Sequence, residues 1–255
     1  MKNFILIAIF LFACQQDFAQ NTHFTTVGSI EFEKSINMFA LIKRQINKNN
    51  ESYLQQAFDQ FKKNQPQFKK LKSTLYFSNN KTMFQPNADE NMQTGFFNTP
   101  LATQNNVIRT DLATSTFISQ KKVFEETFLV KDSIRNINWK ITDETRDIAG
   151  YSCRRANAII LDSIYVVAFY TDEIAVSGGP ESFAGLPGMI LGVALPHENI
   201  SWFATKVNEA TVPAASFNPP TKGKPVNNKQ LRTTLQSALK DWGDYAQSSF
   251  KAFLM

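Results

Sequence analysis

Cysteine and histidine are scarce in this chain, two of each in 255 residues. A structural metal site usually takes four such ligands at short local spacing, and positions 14, 23, 153 and 197 offer no such spacing. No metal and no cofactor is expected. Cys153 has no partner for an internal disulfide, whether Cys14 is removed with a leader or carries a lipid. With His23 set aside as close to a terminus, Cys153 and His197 are the one cysteine-histidine dyad the composition allows, and a lone cysteine on a strand ordinarily serves as a small buried hydrophobe. No apolar run approaches the roughly 20 residues of a transmembrane helix. The net charge is +5, yet lysine and arginine form no single run and no nucleic-acid reading module is present, which excludes nucleic acid as a partner. Glycine is scarce too, and half of the ten glycines fall between Gly178 and Gly192.

Phenylalanine, by contrast, is abundant, with 23 residues, and favours strands and large buried surfaces. The first 19 residues have the layout of a secretory signal peptide: Lys2, an apolar run from Phe4 to Ala13, and a polar stretch ending at Ala19. Cleavage before Gln20 leaves residues 20–255 as a single exported domain, periplasmic or associated with an outer membrane. Leu11-Phe12-Ala13-Cys14 is the competing, lipid-anchored reading.

Gly28 to Lys34 alternates apolar and charged residues, as a half-buried strand does. Leu54, Ala57, Phe58 and Phe61 fall at helical spacing over Glu51 to Lys63, and Pro66 ends that segment. Around this helix, from Lys43 to Lys81, nine basic residues meet only Glu51 and Asp59, which predicts a positive surface. Lys72 to Phe84 reads as a hairpin, and the polar stretch from Pro86 to Asn106 as a long surface loop. From Val107 to Val207 strand signals recur without a helix between them, the pattern of an antiparallel meander. Leu231, Leu235, Ala238, Leu239 and Trp242 then form the stripe of a C-terminal helix. The fold class is α+β and mainly β: a curved antiparallel half-barrel sheet, similar to the periplasmic lipoprotein carriers, with one helix in the N-terminal half and one at the C-terminus.

The glycine-rich stretch carries a resemblance. Gly185, Leu186, Pro187, Gly188 and Ile190, with Met189 in the remaining position, resemble the naming motif of the GLPGLI family, exported proteins of Bacteroidota. Gly179, Pro180 and Phe183 fit its lead-in, and Trp139, Ile141, Gly150, Tyr151, Cys153 and Ala156 fit its approach. Pro187 and Gly188 also suit the centre of a type II turn, with Gly188 at positive φ. The loop is accordingly the candidate binding element: Phe183, Leu186, Met189 and Ile190 either line an apolar groove or plug one end of the sheet.

The leading functional expectation is a non-enzymatic envelope protein that binds a hydrophobic or peptide ligand, or a component of outer-membrane transport. A hydrolase using Cys153 or a serine with His197, and a structural assembly factor, are the alternatives. Neither Ser177 nor Ser182 sits in a nucleophile elbow.

Overall fold

The computed structural model describes residues 24–87, 97 and 99–255. The leader, Cys14 and His23 lie outside the described residues. β1 (Val27–Asn37) turns Ile30, Phe32, Lys34 and Ile36 inward. Asn37 ends the strand and starts α1 (Met38–Gln45), its side chain accepting a hydrogen bond from the Ala40 amide at 3.1 Å. α2 (Glu51–Asn64) follows and buries Leu54 and Phe58. β2 (Phe68–Ser78) and β3 (Lys81–Pro86) form the hairpin, with Asn79 in the left-handed region at its turn.

After the short helix α3 (Pro100–Thr103) come β4 (Val107–Asp111), β5 (Thr116–Val123) and β6 (Glu126–Ser133). β7 (Lys140–Ile148), β8 (Tyr151–Ile160), β9 (Ile164–Thr171), β10 (Met189–Leu195) and β11 (Ile200–Asn208) complete the meander. The chain ends through β12 (Lys224–Val226), α4 (Asn228–Leu239) and α5 (Gly243–Leu254). Asn227 and Gln230 form a reciprocal capping box that starts α4.

All twelve strands join one sheet in the order β12-β6-β5-β4-β3-β2-β1-β11-β10-β9-β8-β7. The protein is thus mainly β in the α+β class. Pairing is antiparallel except where β12 lies parallel to β6. This order forces curvature. Ten strand spacings separate β6 from β7, about 48 Å along the sheet. Residues 134–139 join them, and such a connection spans at most about 25 Å. The chord is shorter than the arc, so the sheet must curl into an open half-barrel. The crossing is anchored on the way: the Ile134 amide donates to Ser115 O at 2.9 Å, Ile137 is buried, and the Trp139 indole donates to Ala184 O at 3.0 Å.

Two finer features differ from the sequence reading. Each expected helix is accompanied by a neighbour, α1 before α2 and α5 after α4, the latter pair divided at Gly243 with φ +54°. The stretch read as a surface loop up to Asn106 is largely buried in its described part. Phe97 packs edge-on against Phe61, Leu101 and Ala102 join the core, and Gln104 and Asn106 are buried polar residues. Gln104 and Asn106 find partners inside the half-barrel, whereas Asn87 and Thr103 stay exposed.

Candidate functional site

The connection between β9 and β10, residues 172–188, packs into the main core through Ile174, Val176, Phe183 and Leu186 and has two halves with different tasks. In the second half Leu186 is fully buried in the main core, as are Met189 and Ile190 where β10 begins, while Gly185 and Pro187 are exposed. Gly188 has φ +143°, and a Cβ there would run into the Thr171 carbonyl. Its amide donates to Leu186 O at 2.8 Å, which makes the bend at Pro187 a tight three-residue turn rather than a four-residue type II turn. The first half forms a wall. Gly179 has no room for a Cβ between Ile190 and the Phe183 carbonyl, Pro180 is buried, and Gly178, Gly179, Glu181 and Phe183 face a narrow cleft inside the half-barrel.

Glu181 is the most unusual residue of that wall. Eight non-glycine residues have positive φ among the described ones; seven lie in short turns between strands, and Glu181, at φ +53°, sits midway along the 17-residue β9–β10 connection and faces the cleft. A left-handed backbone costs a residue with a Cβ roughly 1 to 2 kcal/mol, so the surrounding structure imposes it. The Glu181 carboxylate accepts a hydrogen bond from Asn106 Nδ2 at 2.8 Å, and Asn106 Oδ1 accepts from Gln104 Nε2 at 2.7 Å. Lys34, buried on β1, donates to Gln104 O at 3.3 Å and lies 5.1 Å over the Trp202 ring.

On the other side of Glu181, Lys121 of β5 is buried and donates to Phe253 O at 3.3 Å. Burial pushes the Lys121 ammonium down to about 8, against the upward pull of the Glu181 charge. Burial lowers Lys34 as well, again opposed by Glu181. A carboxylate flanked by two buried cations and held by one amide is therefore the polar centre of an otherwise apolar interior. β1, β5, the α3 segment and the β9–β10 connection each supply part of it.

Lys34, Gln104, Asn106, Lys121 and Glu181 were not among the residues singled out from the sequence. The two lysines did leave a signal: each occupies an inward position of an alternating strand, Lys34 between Phe32 and Ile36, Lys121 between Ser119 and Val123.

The cysteine-histidine pairing does not form. Cys153 lies near the start of β8, fully buried, with its thiol pushed up to about 12 by burial and by Glu173 and Asp147. His197 follows β10 and packs on Tyr165, which pairs with Ile159 near the far end of β8. Six strand residues, about 20 Å, separate those two ends. Ser182 Oγ donates to Met255 O at 3.0 Å and Ser177 Oγ accepts from the Gly185 amide at 3.3 Å, so neither serine has a histidine base. Among the described residues no three His, Cys, Asp or Glu side chains gather as metal ligands.

A family model described as "N-glycanase peptide, N-terminal domain" matches residues 53–228, more than two thirds of the chain. No curated relative matches the sequence. Two solved structures of PNGF-II, in C2 and P21 crystal forms, share the fold. The first has a TM-score of 0.52 at 14% identity and covers 81% of this chain; the second has 0.50 at 17% and covers 82%. The chain spans about a third of the length of either structure, 32%.

These findings overturn the GLPGLI assignment, since residues 185–190 lie within the matched segment of a different family. The physical reason is that a Pro-Gly bend pressed against a carbonyl has the same residue requirements wherever it occurs. A turn motif with a few spaced partners from Trp139 to Phe183 therefore does not define a family. The expectation of a non-enzymatic envelope binder or transport component falls with that assignment, and the hydrolase alternative loses the Cys153–His197 pair named for it. By its match over residues 53–228, this chain belongs to the N-glycanase N-terminal domain family.

Proposed function

We propose that this chain acts in N-glycan processing as a hydrolase-type module, with Glu181 as the catalytic residue of the cleft. The observation that carries this reading is the Glu181 carboxylate itself, held in a strained backbone, buried, and kept between Lys34 and Lys121 with one hydrogen bond from Asn106. Membership of a family described by an N-glycanase supports the substrate class.

An N-glycan hangs from an asparagine side-chain amide. Hydrolysis forms a bond from water oxygen to the amide carbon and breaks the carbon–nitrogen bond to the sugar. Glu181 takes the proton from the attacking water and returns it to the leaving nitrogen, so atoms and charge balance over the step. Lys34 and Lys121 are positioning residues on either side of Glu181, and the Asn106 amide, donating to one carboxylate oxygen, fixes its orientation. The test is incubation of the purified chain with an N-glycosylated peptide, read by mass spectrometry as aspartate replacing glycosylated asparagine. Cleavage that drops by roughly 10²- to 10⁴-fold in Glu181→Gln supports the reading. Absence of cleavage by the wild-type chain, or equal rates in both, overturns it.

A further inference from the structure

Two cations, Lys121 and Arg135, line the cleft together with Glu181 and Met255. Lys121 is 5% exposed and Arg135 of the β6–β7 crossing is partly buried, while Lys34 lines the adjoining cleft that Glu181 shares. The other nearby carboxylates are engaged elsewhere: Glu198 pairs with Arg44 and Lys251, and Asp132 accepts from the Asn228 amide. Among the described residues neither Lys121 nor Arg135 has an ion-pair partner. A buried cation without a counter-charge is costly, so Lys121 with Arg135 beside it calls for an explanation.

The groups that Lys121 and Arg135 do hold indicate what fits. Lys121 donates to Phe253 O at 3.3 Å and Arg135 donates to Leu254 O at 2.7 Å, both backbone oxygens at the end of α5. Two oxygens of partial negative charge thus stand side by side against an ammonium and a guanidinium. Beside them Ser119 Oγ is fully buried, faces the same space and has no hydrogen-bond partner. An unused buried hydroxyl next to two cations that hold only backbone oxygens is the donor set of an oxyanion site.

We infer that Ser119, Lys121 and Arg135 form a subsite for the oxyanion of an acidic sugar, a carboxylate or a phosphate ester, which replaces the two carbonyl oxygens of the α5 end. The sugar part rests on the glycan-processing reading; the oxyanion part rests on the cleft alone. Binding frees the last turn of α5, because the ligand takes over its two hydrogen-bond donors.

Calorimetric titration with glucuronate, with glucose 6-phosphate and with neutral glucose tests this on the full chain. At least one acidic sugar is expected to bind ten-fold or more tightly than glucose, and whichever binds more tightly identifies the oxyanion. Arg135→Met is expected to remove that preference. Ser119→Ala, which deletes a hydroxyl that bonds to nothing in the fold, is expected to weaken acidic-sugar binding several-fold while leaving thermal unfolding unchanged. Amide exchange over residues 252–255 is expected to speed up when the acidic sugar is bound. Equal binding of glucose and both acidic sugars, or indifference to both substitutions, overturns the subsite. The two readings fail separately: acidic-sugar binding without glycopeptide cleavage leaves the subsite standing and removes the hydrolase. Cleavage with no acidic preference does the reverse.

Discussion

At the scale of single residues, Lys121 links the cleft to folding stability. An unfolded lysine holds its proton up to about its ordinary 10.5, whereas folded Lys121 releases it near 8. Between those values the unfolded chain binds more protons, so this residue makes stability rise with pH. Below pH 8 both states carry the charge and the cost of burying it is present in full. The shift corresponds to roughly 3 kcal/mol. Lys121→Met is therefore expected to be more stable than the wild type at pH 7 by an amount of that order, with the gap closing by about pH 10.5. Urea unfolding of both proteins across this range checks it. Their difference isolates Lys121 from Tyr151 and Cys153, whose raised values act in the opposite direction. A constant gap across the range would show that Lys121 keeps its proton in the folded state.

At the scale of elements, the β9–β10 connection is held by contact with the strand it leaves. Gly188→Ala places a methyl group against the Thr171 carbonyl and a side chain at φ +143°. Destabilisation of at least about 3 kcal/mol is expected, the size reserved for backbone clashes and strained dihedrals. Pro187 is exposed and its ring mainly stiffens the unfolded chain, so Pro187→Ala should cost under about 1 kcal/mol. Thermal unfolding of the two variants checks the order, and equal melting temperatures would remove the contact from the account.

How much of this was legible follows from the range of each interaction. The strands, the helix at Glu51 and the helix at Leu231 rest on local periodicity, and all appear. The need for glycine at position 188 was legible too, although its cause, Thr171, is a contact across the loop. The cleft was harder to read. Glu181 meets Asn106 across 75 residues of sequence, and a stretch rich in Asn, Thr and Gln reads as solvated until a buried carboxylate needs donors. Lys34 and Lys121 were readable as inward lysines, but alternation alone does not say that two such positions share one interior.

At the scale of the whole molecule, the curled sheet has a protected middle and exposed ends. β1 is paired on both flanks over most of its length, with β2 and β11, whereas β7 is an edge strand exposed on both faces. Native-state amide exchange is expected to be slowest in β1, β10 and β11 and fastest, among strands, in β7 and β12. Mass-spectrometric exchange resolves these segments, and a β7 protected as strongly as β1 would mean that another surface covers that edge.

The place of β1 in the sheet also governs how the chain assembles in time. Its flank toward β2 closes once the two helices between β1 and β2 have emerged, but the opposite flank waits for β11, where Ser29 faces Asn208. At a synthesis rate of about 5 to 20 residues per second, roughly 10 to 40 s pass between the emergence of those two strands. Throughout that interval the nascent protein displays a row of unpaired backbone donors and acceptors beside Ile30, Phe32 and Ile36, the kind of edge on which two chains join by mistake. Glu31, Glu33 and Lys34 interrupt that row with charge. The same lysine that later faces the cleft therefore also lowers the chance of aggregation before the cleft exists.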